Sequence, residues 1–369
     1  MKKKLLSILN SYHKLPYKIS KILKIDLDNF VNREMQINCE VAEKFTNKYV
    51  TYRLRPKREL EIPIINIAQN SNKTAIVLQG PLMLVDDFTF ESALFYKRCY
   101  PDAIIIVSTW DDADKKVVKN LEREGILVVT SQLPVSSGHL NINYQVASTL
   151  AGIKKAREVG AKYVCKTRTD QRIYHPNALN YLYSLLNTFP VNNKDFQYEQ
   201  KERFVTVCMP YGDMFYPYCV SDFLYFGFID DMEKLFLIPQ DNREKGTGGK
   251  GMSRKSIAQE LIAPEIQLIR SYIDSMGGNS KCTIEAYWQF MRNHIVSINR
   301  NEIGLFWPKY ENRYSENRHF GYFYQKEKKD AWNCYNFDFV HWLSLYNGII
   351  KYDSMRSMLI IFYKEEGEI

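Results

Sequence analysis

Lys166, Arg168 and Asp170 alternate with threonine in the segment KTRTD and directly follow three apolar residues, 163–165. Residues two positions apart on an extended chain face the same side, so we expect the three charged side chains to share one face. Two cations and a carboxylate can hold a diphosphate, either directly through Lys and Arg or through Mg²⁺ or Mn²⁺ bound at Asp170. A salt-bridge cluster at a strand end explains the same residues. This stretch alone leaves both interpretations open.

The segments before KTRTD alternate between strand and helix. Short apolar runs that end in turn residues are typical of buried parallel strands, and the segments between them have the apolar spacing of helices. The predicted strands are 74–80, 103–110, 126–131 and 163–166, and the predicted helices are 88–100, 111–125 and 141–160, the last capped by Asn141. This alternation predicts an α/β fold, a mostly parallel sheet with helices on both faces.

The carboxyl ends of these strands carry most of the candidate binding residues. Ligands of doubly wound sheets bind beyond the carboxyl ends of the strands. We therefore expect Gln79, Gly80, Thr109 and Trp110 to line one crevice with residues 166–170. Gly80 permits close approach of a ligand to the backbone, although a structural turn explains it as well. Trp110 either stacks on a nucleotide base or covers the core.

Four further polar residues follow in the chain. Asn143 and Gln145 lie on the predicted helix 141–160 and either hydrogen-bond a ligand or face solvent. Asp222 and Glu265 are the candidates for a general base. A turn role explains Asp222 equally well, and Glu265 is also a favourable first-turn helix residue.

Net charge, cysteine usage and the absence of long apolar segments narrow the range of partners and cellular locations that we expect for this protein. The chain has 369 residues and a net charge of +8, a mild bias towards anionic partners that is too weak to indicate nucleic-acid binding. Seven cysteines without a C-x-x-C pair favour a reducing cytoplasm over a disulfide framework or a zinc site. Residues 1–25 form a basic amphipathic segment that either packs on its own domain or lies on a membrane surface. No segment has the length and apolarity of a membrane span.

The ordered motifs resemble the WavE lipopolysaccharide-synthesis family. They run from about Thr74 to about Ile273 and read AIVLQGPL, YPDAIIIVSTWDD, NINYQVASTLAGIKKA, KYVCKTRTD, SDFLYFG and APEIQLI. The resemblance implies a GT-A-like, Rossmann-like fold with helical N- and C-terminal extensions. It also implies a glycosyltransferase that moves a sugar from a nucleotide-sugar donor to a bacterial surface glycan, such as lipopolysaccharide core, O-antigen or capsule.

The resemblance also bears on single residues and on location. Glu265 matches a glutamate of the family at this place. Typical GT-A enzymes carry Asp-x-Asp after the fourth strand, whereas here Arg168 takes the first position and leaves Asp170 as the carboxylate for Mg²⁺ or Mn²⁺. The implied acceptor is a lipid-linked or surface glycan. The location that cysteine usage favours is the cytoplasm. Attachment through residues 1–25 would make the protein peripheral on the inner face of the cytoplasmic membrane.

Alternatives of other classes remain at this point. A sugar-phosphate transferase would use the same basic crevice, and a non-enzymatic glycan-binding protein would use the aromatic residues, which are 14% of the chain.

The predicted organisation of the chain has four parts. They are an N-terminal extension (1–72), a nucleotide-sugar-binding half (73–175), an acceptor-side half of the same domain (176–300) and an aromatic-rich C-terminal extension (301–369).

Overall fold

The computed structural model describes residues 14–24, 26–46, 49–50, 52–62, 73–208, 213–244, 252–308 and 336–355. The chain divides into two units, Met1–Pro56 and Lys57–Ile369. The first unit contains helix α1, which includes residues 14–22, and helix α2, Leu27–Thr46. In the described ranges, no helix has the length and apolarity needed to cross a membrane. The first 13 residues of the predicted amphipathic segment 1–25 lie outside the described residues.

The second unit is built on a mixed sheet of seven strands in the order β3-β2-β1-β4-β7-β6-β8. The neighbours β3, β2, β1 and β4 are parallel, β7 is antiparallel to both β4 and β6, and β6 is parallel to β8. The strands are β1 Thr74–Gln79, β2 Ile104–Trp110, β3 Leu127–Ser131, β4 Tyr163–Arg168, β6 Phe204–Val207, β7 Tyr225–Phe228 and β8 Ile295–Ile298. A two-stranded antiparallel sheet joins β5, Arg172–Ile173, to β9, Leu305–Phe306.

Helices cover the sheet. In chain order they are α3 Phe88–Cys99, α4 Lys115–Arg123, α5 Ile142–Glu158, α6 Ala178–Thr188, α7 Ile229–Phe236, α8 Arg254–Gln259, α9 Pro264–Ser275, α10 Ile284–His294 and α11 Phe339–Tyr346. Helix α5 packs on β1 and β2, and α7 packs between β4, α5 and α9. Gly152 of α5 permits this close packing, because a Cβ at that position would collide with Val77 and would lie 3.2 Å from the Ser108 Cβ.

Burial follows the apolar runs of the sequence. Every residue of β1 is buried, as is typical of a central strand with helices on both faces. The predicted fold class, a mostly parallel Rossmann-like sheet flanked by helices, is confirmed. The fourth strand is longer than predicted and continues to Arg168, so that Lys166 lies inside it. Asn141 precedes α5 in a left-handed conformation and makes no side-chain capping bond, contrary to the expected cap.

Candidate active site at the carboxyl edge of the sheet

The ends of β1 and β4 are joined by a network of hydrogen bonds. Gln79 is in register with both Ser108 of β2 and Arg168 of β4. The Thr169 backbone N–H donates to the Gln79 carbonyl at 3.1 Å, and the Thr169 hydroxyl donates to the Pro81 carbonyl at 2.6 Å. Gly80 adopts φ +116°, a conformation that favours glycine. The two strand ends are thus fixed relative to each other, as a binding site requires.

Gln79 shows which face of the sheet the candidate site uses. The Ser148 hydroxyl of α5 donates to Gln79 Oε1 at 2.8 Å, so the Gln79 side chain lies on the α5 face. Residues in register on neighbouring strands face the same side, and Arg168 therefore lies on that face too. Lys166, two residues earlier, shares it, and its Nζ lies 6.0 Å from the ring centre of Phe236 of α7.

Arg168 and Asp170 form an ion pair at this edge. Asp170 lies in the turn after β4, and its side chain folds back on Arg168, with Nε–Oδ1 at 2.9 Å and Nη2–Oδ2 at 3.3 Å. The indole N–H of Trp307 donates to the same Oδ2 at 3.0 Å, and the Arg168 guanidinium lies 4.7 Å from the Trp307 ring centre. Both side chains of the ion pair are 25% exposed. Solvent and ligands can therefore reach this pair.

Lys166 has a different environment from the one that the sequence predicted. Its side chain is fully buried, and its ammonium donates to the backbone carbonyl of Asp222. Burial lowers the pKa of the Lys166 ammonium to about 8, and the carboxylates of Asp222, Asp170 and Glu265 oppose that shift. Direct contact of Lys166 with a bound diphosphate is inconsistent with this burial.

The two predicted acid–base residues lie close to this lysine. Asp222 precedes β7 and is 8% exposed, and Glu265 is the second residue of α9, next to Pro264. Burial raises the pKa of the Glu265 carboxyl well above the usual glutamate value, and the negative charge of Asp222 raises it further. The Glu265 backbone N–H, Lys166 and Arg168 act in the opposite direction. The fold therefore brings two carboxylates from distant segments next to the basic residues of β4.

Thr109 and Trp110 are both buried, and they lie on opposite faces of β2. Trp110 is 7% exposed and packs edge-on against Tyr144 of α5, with ring centres 5.8 Å apart. Thr109 is fully buried and its hydroxyl has no hydrogen-bond partner. The core interpretation of Trp110 fits this packing, and Thr109 is inaccessible to a ligand in this conformation. Their contacts with a nucleotide stay predictions.

Asn143 is buried and hydrogen-bonds the protein backbone, whereas the sequence suggested either contact with a ligand or exposure to solvent. Its side-chain amide donates to the Asp241 carbonyl at 2.7 Å and accepts from the Asp241 N–H at 2.9 Å. Asp241 in turn pairs with Arg243 at 2.8 Å, and Arg243 donates to Gln267 of α9 at 2.9 Å. Gln145 is half-buried on the same helix, α5. Asn143 is thus a link between the start of α5 and the loop before α8.

The surroundings of Asp170 are unfavourable for the predicted Mg²⁺ or Mn²⁺ ion. Both Asp170 carboxylate oxygens accept N–H donors, and one donor group is the positively charged guanidinium of Arg168. Among the residues described, no group of three His, Cys, Asp or Glu side chains is placed to hold a metal ion. As arranged, Asp170 does not fit a metal ligand, because a cation there would be repelled by Arg168.

Trp307 is the residue that the sequence analysis missed. The pairing of β5 with β9 places it beside Asp170, although 137 positions separate them in the chain. Its one sequence signal is an aromatic residue before Pro308, at the end of the short apolar run LFW. Such a run is common in cores and does not by itself indicate a site.

The fold and this edge define a Rossmann-like α/β protein with a charged site at the carboxyl ends of its parallel strands. The family model described as WavE lipopolysaccharide synthesis matches residues 74–368. The chain therefore belongs to the WavE lipopolysaccharide synthesis family. No curated protein matches the sequence.

Similarities to solved structures are weak. A cytidylyltransferase from Leptospira borgpetersenii aligns with a TM-score of 0.31 at 14% identity, covering 60% of this chain and 86% of that chain. A putative glucose-1-phosphate thymidylyltransferase from Bacillus anthracis, in complex with a sucrose, aligns with a TM-score of 0.30 at 12% identity, covering 62% of this chain and 86% of that chain. Similarities at this level support no conclusion about function.

The burial of Lys166 generates a prediction about stability and pH. Lysine in the unfolded chain holds its proton up to about pH 10.4, whereas folded Lys166 loses it near pH 8. Between these values the unfolded state binds more protons, so the free energy of unfolding rises with pH. We therefore expect the free energy of unfolding of wild type, minus that of Lys166→Met, to increase by up to about 3 kcal/mol from pH 7.5 to pH 10.5.

Urea unfolding at both pH values measures this difference. Lys154→Met changes an exposed lysine of α5 and is the matched control, for which we expect no pH-dependent difference. A Lys166→Met difference that stays flat with pH would show that folded Lys166 titrates like an exposed lysine.

Proposed function

We propose that the protein is a glycosyltransferase of bacterial surface-glycan synthesis, with a nucleotide sugar as donor. The observation that carries the proposal is the convergence of Glu265 and Asp222 with Arg168 at the carboxyl edge of the sheet. Sugar transfer with inversion needs a base for the acceptor hydroxyl, and the leaving diphosphate needs positive charge. The GT-A-like assignment and the acceptor, a glycan of the lipopolysaccharide type, are supported by membership of the family.

Glu265 is the general base of this proposal. In the ionised form, its carboxylate takes the proton of the acceptor hydroxyl while that oxygen forms a bond to the anomeric carbon of the donor sugar. The bond from this carbon to the diphosphate oxygen breaks, and its electron pair leaves with the diphosphate. A carboxylate whose pKa is raised by burial is a stronger base than an exposed glutamate, which suits this step. Asp222 keeps the proton affinity of Glu265 high through its negative charge.

A sugar-phosphate transferase is the second candidate, because the same basic edge could bind the same class of donor. The two reactions differ in the bond that breaks and therefore in the product. Glycosyl transfer releases a nucleoside diphosphate, whereas transfer of a sugar phosphate releases a nucleoside monophosphate. Product analysis by anion-exchange chromatography distinguishes them, and a glycan-binding protein without activity would release neither.

Glu265→Gln is the direct test of the base. The amide keeps the size of the side chain but cannot accept the proton, so we expect kcat to fall by about 10²- to 10⁴-fold with donor binding retained. Glu260→Gln is the matched control, since Glu260 is an exposed residue close to Glu265 in the chain, and we expect full activity. Transfer is measured with purified glycan acceptor and a panel of nucleotide sugars. Wild-type turnover of Glu265→Gln would rule out this residue as the base.

The pH profile is a second readout of the same base. Only ionised Glu265 accepts a proton, and its pKa is raised, so we expect kcat/KM to fall on the acidic side from a pH well above the usual glutamate pKa. An acidic limb at the pKa of an exposed glutamate would contradict this assignment.

We propose peripheral attachment to anionic membrane through α1. Its apolar residues Leu15, Ile19 and Ile22, together with Leu23 directly after the helix, are 44–77% exposed and have the spacing of one helix face. Four exposed lysines, at positions 14, 18, 21 and 24, accompany this face. Exposed apolar residues flanked by lysine are typical of interfacial helices, and each lysine near an anionic surface contributes about 1 kcal/mol.

Vesicle sedimentation tests this attachment. We expect the full chain to bind phosphatidylglycerol vesicles more strongly than phosphatidylcholine vesicles, and Ile22→Glu to weaken binding roughly tenfold by removing apolar area and adding repulsion. Leu60→Glu makes the same change at an 81% exposed position of the second unit and should bind like wild type. Equal binding of Ile22→Glu and wild type would reject α1 as the attachment site.

A further inference from the structure

Arg168 is held from two sides at the edge where the proposed donor binds. Asp170 accepts two of its N–H groups, and the Trp307 ring lies 4.7 Å from the guanidinium carbon. Trp307 is itself fixed, because its indole N–H is bonded to Asp170 and its ring packs edge-on against Phe223, with ring centres 4.7 Å apart. We refer to Arg168, Asp170 and Trp307 as the arginine clamp.

From this arrangement we infer that Arg168, rather than a divalent metal at Asp170, neutralises the leaving diphosphate. Asp170 and Trp307 are then positioning residues that hold the guanidinium plane. The inference rests on the proposed function, since it concerns the diphosphate of a nucleotide-sugar donor. It predicts that donor binding and transfer proceed without a divalent cation, although Asp170 occupies the place of a GT-A metal ligand.

The geometry at Asp170 argues against a metal bridge. A divalent ion bound to Oδ1 or Oδ2 would lie close to guanidinium nitrogens that are themselves only 2.9 and 3.3 Å from these oxygens. Two like charges at such distances repel each other strongly, even with effective dielectric screening. Arg168 would have to leave before a metal could bind, and the Trp307 ring holds it in place.

Arg168 is also better suited to the phosphate than Lys166. Lys166 is fully buried and donates to the Asp222 carbonyl, whereas the Arg168 side chain is 25% exposed. A guanidinium presents a planar set of donors that matches phosphate oxygens and stays charged at every physiological pH. A cation already oriented by protein contacts stabilises developing negative charge without reorganising during the reaction.

Calorimetric titration of the full chain with UDP, GDP, dTDP and ADP tests the inference, once in EDTA and once in MnCl₂. These nucleoside diphosphates are the leaving groups of the proposed donors. We expect at least one of them to bind, with a dissociation constant that agrees between the two conditions within about twofold. For Arg168→Gln we expect binding to be weakened roughly 10- to 100-fold, the loss of a charge-assisted contact. The control Arg123→Gln removes an exposed arginine of α4 and should bind like wild type.

Two more variants separate the roles within the clamp. Arg168→Lys keeps the charge but not the planar donors, so we expect only partial recovery of binding. Asp170→Asn keeps a hydrogen-bond acceptor for Arg168 and removes the charge that a metal ligand needs. We expect it to weaken binding less than Arg168→Gln does, equally in EDTA and in MnCl₂. Far-ultraviolet circular dichroism verifies that each variant is folded.

The possible outcomes are distinct. Binding that requires Mn²⁺, and that Asp170→Asn abolishes, would overturn the inference while leaving the proposed glycosyltransferase intact. Metal-independent binding that Arg168→Gln leaves unchanged would also overturn it. Wild-type protein that binds none of the four diphosphates in either condition, and hydrolyses no nucleotide sugar, would reject the proposed function together with the inference.

Discussion

The bond from the buried Lys166 ammonium to the Asp222 carbonyl joins two parts of the site. Lys166 belongs to β4, the last strand of the parallel half, and Asp222 belongs to the segment that leads into the antiparallel strand β7. A buried ammonium is costly unless hydrogen bonds and opposite charges compensate it. Asp222 and Glu265 supply negative charge, and the Asp222 carbonyl supplies an acceptor. The burial of this one lysine therefore depends on the Asp222 carbonyl and on the negative charge of both carboxylates.

The same burial explains the proton affinities at the edge. Removing Lys166 and Glu265 from water disfavours the charged form of each, which lowers the pKa of the lysine and raises that of the glutamate. Their opposite charges offset part of this cost, so the two groups stabilise each other's ionised forms. A glutamate in this situation has a high affinity for a proton, and it is ionised and able to accept one only above its raised pKa. The electrostatics of the fold thus give Glu265 the high proton affinity that the proposed base requires.

The sequence predicted those parts of the fold and site that depend on local pattern. The strands β1 and β2 were predictable because their apolar runs end in Gly80-Pro81 and in Asp111-Asp112, and the convergence of strand ends follows from parallel topology. The burial of Lys166 was not predictable, because a charged residue between Cys165 and Thr167 looks like a strand-end residue. Its partner, Asp222, is 56 residues away. Trp307 and the bonds of Asn143 to Asp241 likewise depend on long-range contacts that local patterns do not encode.

The Arg168–Asp170 pair is better explained by orientation than by stability. Partly exposed ion pairs typically contribute only about 0–1 kcal/mol to folding, so this pair adds little to the stability of the second unit. The contacts with Asp170 and Trp307 instead restrict rotation of the long Arg168 side chain. Ordering this side chain only when a ligand binds would cost entropy and reduce the affinity for that ligand. The restriction is located at the carboxyl edge, next to Glu265, and this is where transfer of a sugar would develop negative charge. In the proposed transfer, an arginine fixed there in advance would stabilise this charge without reorganising, which is a larger effect than its contribution to folding.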